Sequence, residues 1–419
     1  MRSNYKKIGS YLRLVDERDS DQRLITLLGL TIDKVFIPSV ANTIGSDMAN
    51  YKIIRKGQFA CSLMQVRRDK RIPVALLTDF DEAIISQAYP VFEVVNTELL
   101  PEYLMMWMSR SEFDREACFY AVGGVRGSLE WEDFCNMELP VPSPEKQLEI
   151  VKEFHTIVDR IKLNERLNQK LEETAQAIYK QWFVDFEFPI LAEYAAVIGK
   201  PELEGHPYKS SGGEMVFNEV LKQEIPKEWE DITVEGFCAE MKSGGTPDRG
   251  TPDFWDSADV PWLKTGEVCN CVLVDAEEYI SFEGLKNSSA RKIPANAVLI
   301  AMYGDGKTKG QVGYLKFEST TNQACCAMIC SDEFKSTFLF YHLRTNRDEI
   351  VNQANGGAQD NLSKALIAAL PILKPQQWVL NSHPFVTIIN NSENLIRENR
   401  ALGKLHDLLL SRLAKGANS

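Results

Sequence analysis

The sequence contains no run of about 20 apolar residues, the length a helix needs to cross a bilayer, and Met1 to Lys7 lead into no apolar signal core. It therefore reads as a soluble, cytoplasmic chain. Histidine is scarce, five in 419 residues, and none stands at metal-ligand spacing. The nine cysteines include no C-x-x-C; only Cys269-x-Cys271 and Cys325-Cys326, with Cys330 beyond, lie close together. That argues against a structural zinc site and for free thiols in a reducing compartment. There is no Asn-Pro-Pro or Asp-Pro-Pro, which an adenine methyltransferase requires, and no recognisable triad among the histidines and carboxylates. The expectation is a chain with no catalytic residues, no metal and no cofactor of its own.

A basic surplus is lacking too: the net charge is -12, which at first counts against nucleic acid, whose binders displace counterions with lysine and arginine. The distribution of charge reverses that reading. Between Lys52 and Arg71 seven bases face one acid, Asp69; between Lys286 and Lys316 six bases face Asp305 alone. In the first window the candidate DNA contacts are Arg55, Lys56, Arg67, Arg68, Lys70 and Arg71. In the second they are Arg291, Lys292, Lys307 and Lys309, with Lys264 and Tyr303 beside them. A hydrophobic content of 44% supplies more than one core, so about two to three domains are expected.

The two windows occupy corresponding places in two halves that repeat each other. Ile54–Cys61 aligns with Ile293–Ile300, Ser86-Gln-Ala88 with Asn322-Gln-Ala324, and Tyr103–Trp107 with Phe338–His342. Gly123-Gly124 before Leu129 aligns with Gly356-Gly357 before Leu362, and Leu139-Pro140 with Leu370-Pro371. The offset falls steadily from 239 to 231, as small loop differences would make it. Each half closes on a long helix. From Ile150 to Phe183 apolar residues keep one face with no proline or glycine between, and some 39 residues from Glu145 would span about 58 Å. Ile388, Leu395, Leu402 and Leu409 recur every seven residues near the other end. The matched stripes predict an antiparallel two-helix coiled coil. Tyr179, Trp182, Phe183, Leu405, Leu409 and Leu413 are the apolar residues expected to receive a partner's helix. Residues 189–226 lose periodicity, gather glycine and acids, and read as a linker.

Several stretches, taken in order, resemble the specificity subunits of type I restriction-modification systems. They are Ser243-Gly-Gly-Thr-Pro247, Val260–Gly266, Gly284–Ala290, Ala301-Met-Tyr-Gly304, Thr320–Ala327, Leu139-Pro-Val-Pro142 with Lys146-Gln147, and Gln181–Phe186. The resemblance implies a mixed α/β fold: two target-recognition domains (1–142 and 227–375) separated by spacer helices (143–188 and 376–419), with the linker at 189–226. It implies binding to double-stranded DNA at an asymmetric, two-part site. It also implies docking of methyltransferase subunits, two in number, with the restriction and motor subunit as a further partner. S-adenosylmethionine, ATP and Mg would sit on those partners. The first half departs from the pattern more than the second, and Ile190–Ile198 adds an apolar stretch to the linker.

Two motifs point elsewhere. Ala301–Thr308 fits a relaxed phosphate loop, which would make the chain a self-contained nucleotide- or methyl-transferring enzyme. That motif needs a helix after it, whereas Lys309–Leu315 reads as a strand. A second rival is a coiled-coil scaffold with no DNA role. The glycine loops Gly123–Ser128 and Gly356–Asn361 carry Arg126, suited to a guanine edge, and Gln359 and Asn361, suited to adenine; Ser128 or Asn361 could instead cap a helix.

Overall fold

The computed structural model describes residues 5–20, 24–39, 48–64, 66–121, 127–304, 307–355 and 361–413. It divides into two compact units, Met1–Lys162 with Arg400–Ser419, and Leu163–Asn399.

The first unit holds strands β1 (Tyr5–Lys7), β2 (Leu12–Val15), β3 (Leu27–Leu30), β4 (Phe36–Pro38), β5 (Lys52–Arg55), β6 (Phe59–Cys61), β7 (Val74–Leu76), β8 (Glu82–Ile85), β9 (Val91–Val94) and β10 (Glu138–Pro140). Its helices are α1 (Val66–Asp69), α2 (Pro101–Met108), α3 (Ser111–Tyr120), α4 (Trp131–Asn136) and the first half of α5 (Pro144–Tyr179). One sheet has the order β2-β9-β6-β7 and a second β4-β3-β8-β5, while β1 pairs with β10. β6 is apolar and buried at every position, as a central strand covered on both faces must be.

The second unit begins with the rest of α5. It continues with α6 (Ala192–Val197), β11 (Met215–Asn218), β12 (Gln223–Pro226), β13 (Glu230–Thr233), α7 (Val234–Phe237), β14 (Glu240–Ser243), β15 (Val260–Leu263), β16 (Cys271–Leu273), β17 (Glu278–Ile280) and α8 (Phe282–Lys286). Then come β18 (Val298–Ala301), β19 (Val312–Leu315), β20 (Thr320–Thr321), β21 (Cys325–Ile329), α9 (Glu333–Thr345), α10 (Arg347–Asn355), α11 (Lys364–Ala369), β22 (Pro371–Lys374), α12 (Gln377–Ser382) and α13 (Phe385–Arg412).

The second unit repeats most of the first unit's strand order, although β5 has no counterpart there and β11, β12 and β16 are additions. The order β14-β21-β18-β19 reproduces β2-β9-β6-β7, with β16 added at the edge. β15 pairs antiparallel with β17 and parallel with β20, as β3 does with β4 and β8. Register agrees as well: Phe59 stands opposite Phe92, and Val298 opposite Met328, at the offsets of 239 and 236 read from the sequence. A single main-chain bond recurs in both: Leu129 N donates to Leu63 O (2.9 Å) and Leu362 N to Met302 O (3.1 Å).

In each unit α5 and α13 pack against one another and run antiparallel. In the first, Phe154 meets the His406 ring at 4.8 Å, and Val151 joins Leu410 and Leu413 in the core. In the second the seam is polar: Asn164 Nδ2 donates to Glu398 Oε2 (2.9 Å) and Asn399 Oδ1 (2.8 Å), and Ser392 Oγ to Asn168 Oδ1 (2.5 Å). Buried Gln147, next to the helix start, clasps α5 to its unit. Its Oε1 accepts from Leu100 N, and its Nε2 donates to the Glu98 and Pro142 carbonyls. The C-terminal helical region is two helices rather than one, because His383-Pro384 interrupts it between α12 and α13.

The segment 189–226 is not the loose chain its composition suggests. It carries α6 and the β11–β12 hairpin, and Ile190, Ala195, Tyr208 and Ile225 are buried in the main core of the second unit. Its anchors are spaced widely, so the rest faces water and no period appears.

Candidate nucleic-acid interface

The connection from β6 to β7 contains the four-residue helix α1 and most of the first basic window. Arg67 and Arg68 are exposed on α1, and Lys70 follows in the left-handed region at φ 53°. Arg67 N donates to Gly127 O (3.4 Å), and a Cβ on Gly127 would lie 2.5 Å from Arg67 Cβ. Gly127, at the end of the glycine loop, therefore lies against the basic turn; Arg126, like Gln359, lies outside the described residues. The far end of the turn is fixed by Asp114 on α3, whose Oδ1 accepts from Ile72 N (3.1 Å) and pairs with Lys34 Nζ (2.8 Å).

The corresponding connection, from β18 to β19, carries the core of the second basic window. Tyr303 is 41% exposed at its start, and Met64 stands at the matching place in the first unit, 49% exposed. Lys307 is exposed and Lys309 half-buried. Arg347, at the start of α10, pins the loop by donating to the carbonyls of Lys307 (3.1 Å) and Lys309 (2.8 Å). Met302 N donates to Ala324 O (2.8 Å) and Met302 O accepts from Leu362 N, which places Gln323 and Asn361, both exposed, on either side of Tyr303. Thr246 Oγ1 donates to Gln323 Oε1 (2.5 Å). Asn361 is not a helix cap, since α11 is capped by Ser363, whose Oγ accepts from Leu366 N (3.1 Å); α4 starts after Glu130, not Ser128. The segment Ala301–Thr308 joins two antiparallel strands and opens no helix of its own, so it lacks the strand–loop–helix order that the phosphate-loop reading needs.

Other candidate cations are placed differently. Arg55 belongs to β5 in the second sheet, where Glu17 (2.8 Å) and Glu82 (3.8 Å) take its charge. Lys264 lies between Glu278 (2.9 Å) and Glu277 (3.1 Å), whose hydrogen bonds hold its ammonium above the usual lysine range. Lys292 is paired with Glu318 (2.7 Å) and Arg71 with Asp33 (2.9 Å). Lys56 is exposed at the β5–β6 turn, and Arg291 is exposed after α8. Within the β6–β7 connection Arg68 is also paired, with Asp69 (2.7 Å), so pairing divides the loop's own cations, whereas Arg55, Lys264 and Lys292 lie outside both hairpin connections.

Three of the second-half stretches that carried the family resemblance, those around Gly245, Trp262 and Asn322, meet in one place. Gly245 N donates to Thr321 O (2.8 Å), Trp262 Nε1 to Gly245 O (2.9 Å), and Thr265 Oγ1 to Asn322 Oδ1 (2.8 Å). A Cβ on Gly244 would sit 2.0 Å from Asn322 O, which is why glycine stands there. Sequence reasoning missed Arg249, at the rim of this framework. Its guanidinium lies 3.5 Å from the Trp255 ring centroid and 4.8 Å from that of Trp262, and Nη1 donates to Glu278 Oε2 at 2.6 Å. Its only signal was the pair of tryptophans that follow it.

The expected partner-binding aromatics need correcting. Tyr179, Trp182 and Phe183 are buried in the second unit's own core: the Tyr179 hydroxyl is 2.8 Å from His342 Nδ1, and Phe183 packs on Phe338 at 4.7 Å. The turn of π-helix over Lys180–Val184 directs them inward, which a 3.6-residue period cannot foresee. Leu413 is likewise buried in the first unit and Leu409 half-buried, whereas Leu405, with neighbouring Leu408, is exposed.

Among the described residues no group of three or more histidines, cysteines or carboxylates is placed to hold a metal ion, and no helix is long and apolar enough to cross a membrane. The family model for the type I restriction modification DNA specificity domain matches residues 67–173 and 226–377, together more than half of the chain. The chain is 26% identical over 407 residues, 87% of each chain, to the Type I restriction enzyme HindI specificity subunit of Haemophilus influenzae. It is 25% identical over 323 residues to the MjaIX specificity subunit of Methanocaldococcus jannaschii, covering 75% of this chain and 67% of that one. The crystal structure of a type I restriction-modification S subunit from M. genitalium superposes with a TM-score of 0.58 over 98% of this chain and 95% of that one, at 13% identity, so the fold is shared. Twice-repeated strand order, antiparallel helices and two family-model matches agree: this chain belongs to the type I restriction-modification DNA specificity subunits, the non-catalytic members of their complexes.

Proposed function

We propose that the β6–β7 and β18–β19 loops are the two DNA-contacting elements, one in each recognition domain, and that together they read an asymmetric, two-part site. One observation carries this: each basic window contributes cations to the same hairpin connection of a duplicated sheet, closed in both by the same main-chain bond to the segment after a glycine loop. Arg67, Arg68, Lys70, Lys307 and Lys309 supply phosphate contacts, while Tyr303, Asn361 and the glycine-loop residues Arg126 and Gln359 approach base edges. Because the loops differ at nearly every position, the two half-sites differ. The domains correspond to residues 1–142 and 227–375. Methyltransferase subunits bringing S-adenosylmethionine, and a restriction and motor subunit using ATP and Mg, are the partners this reading requires, with exposed Leu405 as a docking residue.

The test is the salt dependence of DNA affinity, with the full chain bound to its modification subunit. Neutralising Arg67, Lys70 and Lys307 lowers the slope of log K against log salt by about 0.9 for each phosphate that no longer meets a cation. Neutralising the ion-paired Arg55, Lys264 and Lys292 leaves it nearly unchanged. Equal reductions from both sets, or none from the first, overturn the assignment.

A further inference from the structure

Arg249 is half-exposed, with its side chain 50% accessible, yet it is held more firmly than a surface arginine ordinarily is. Trp255 and Trp262 meet edge to face at 89° with centroids 4.9 Å apart, and the guanidinium lies over both rings. Each indole is tied down in turn, Trp255 Nε1 to Asp248 O (3.0 Å) and Trp262 Nε1 to Gly245 O (2.9 Å). The turn bearing Arg249 is closed by the Asp248 carboxylate, which accepts from Gly250 N (3.0 Å) and Thr251 Oγ1 (3.1 Å). Only Nη1 is engaged, with Glu278; among the described residues Nε and Nη2 have no protein acceptor. Half of a planar donor fork thus reaches solvent already ordered, so little conformational entropy is lost when it binds.

Position and charge indicate what it meets. Gly245, which anchors Trp262, is followed by Thr246, which bonds Gln323, and Met302 at the start of the β18–β19 loop bonds the next residue, Ala324, so the arginine and that loop rest on one framework. The charges around it are three acids, Glu278, Glu277 and Asp248, against one base, Lys264, which is itself held between the two glutamates. Carboxylates there repel a phosphate, whereas a guanine edge is neutral and offers O6 and N7 to a bidentate arginine.

We propose that Arg249, held flat on Trp255 and Trp262 and oriented by Glu278, reads a guanine in the half-site of the second recognition domain. Glu278 is then a positioning residue. The proposal rests on the reading that this face of the unit meets DNA.

The experiment selects preferred sites from a randomised DNA library with the full chain bound to its modification subunit, comparing wild type, Arg249→Ala, Arg249→Lys and Glu278→Gln at two salt concentrations. Expected is a loss of about 10- to 100-fold in preference for guanine at one position with either Arg249 variant, a smaller loss at the same position with Glu278→Gln, and an unchanged salt slope. A uniform loss at all sequences with a lower slope marks a phosphate contact and overturns the proposal, as do unchanged preferences. If Arg249→Ala fails to fold, the lysine and glutamine variants carry the test. A wild-type complex with no sequence preference overturns the broader reading as well, whereas retained preference with unaltered variants overturns only the role of Arg249.

Discussion

Replacing Asp114 by alanine isolates the interaction that fixes the first basic loop. Lys34 and Asp114 are only 7% and 10% exposed along their side chains and stand 2.8 Å apart, and Lys34 Nζ also donates to the Met108 carbonyl. Burial outweighs the pairing and lowers the Lys34 pKa, so the ammonium depends on Asp114 for its charge. Alanine leaves that charge buried without its counter-ion, which costs about 3–5 kcal/mol, and takes the acceptor from Ile72 N, part of the same cost. For a unit of this size the loss lowers the melting temperature by about 10 °C. The companion double variant, Lys34→Met with Asp114→Asn, removes both charges but keeps an acceptor for Ile72, and lies within about 1 kcal/mol of wild type. Urea denaturation of the full chain followed by hydrogen exchange resolves the two units and reports the first directly. A cost below about 1 kcal/mol for Asp114→Ala, or a double variant as unstable as the single, would refute the reasoning.

Other expectations concern the second unit. His342 and His383 are buried, and burial pushes each imidazole pKa down to about 4, so the unfolded chain takes up protons that the folded unit refuses. Stability is then full above about pH 6.5 and falls as the pH drops to about 4, by up to about 3 kcal/mol per histidine; replacing either by a neutral isostere in pH-dependent urea melts flattens that slope. Asn164 is fully buried and its Nδ2 bridges Glu398 and Asn399, so Asn164→Leu removes a donor from both and lowers the stability to urea by about 1 kcal/mol while weakening the register of the helix pair; a gain of stability of that size contradicts this. The exposed Cys269 thiol sits 3.3 Å from Cys271, whose hydrogen bond, aided by Arg344, lowers its pKa to about 6. Iodoacetamide therefore alkylates Cys269 before the other cysteines at pH 7, and Cys271→Ala slows the reaction about tenfold.

The sequence was most informative where it compares with itself. Offsets between the halves led to partners that hold down to one hydrogen bond, Leu129 to Leu63 and Leu362 to Met302, because a duplicated sheet keeps its register while its surface changes. Side-chain partners across long separations were not legible. Arg55 looked like a free cation, but Glu17 lies 38 residues away in the chain, and Lys264 gave no sign of the two glutamates around it. Arg249 stands among acids, Asp248, Asp253, Asp256 and Asp259, so a search for basic runs passes over it. The aromatics of Gln181–Phe186 were visible as a cluster, but whether they face a partner or their own core depends on the π-helical turn, which apolar spacing does not encode.

The lock shared by the β6–β7 and β18–β19 loops is made of main chain alone. An amide and a carbonyl exist at every non-proline position, so the bond that closes each loop imposes almost no condition on which side chains the loop displays. Mutation can rewrite the residues beyond it without disturbing the sheet beneath. The scaffold thereby separates what must stay fixed, the place where a loop begins and ends, from what is free to diversify. A chain built in this way can change the loop of one half while the other half keeps its own.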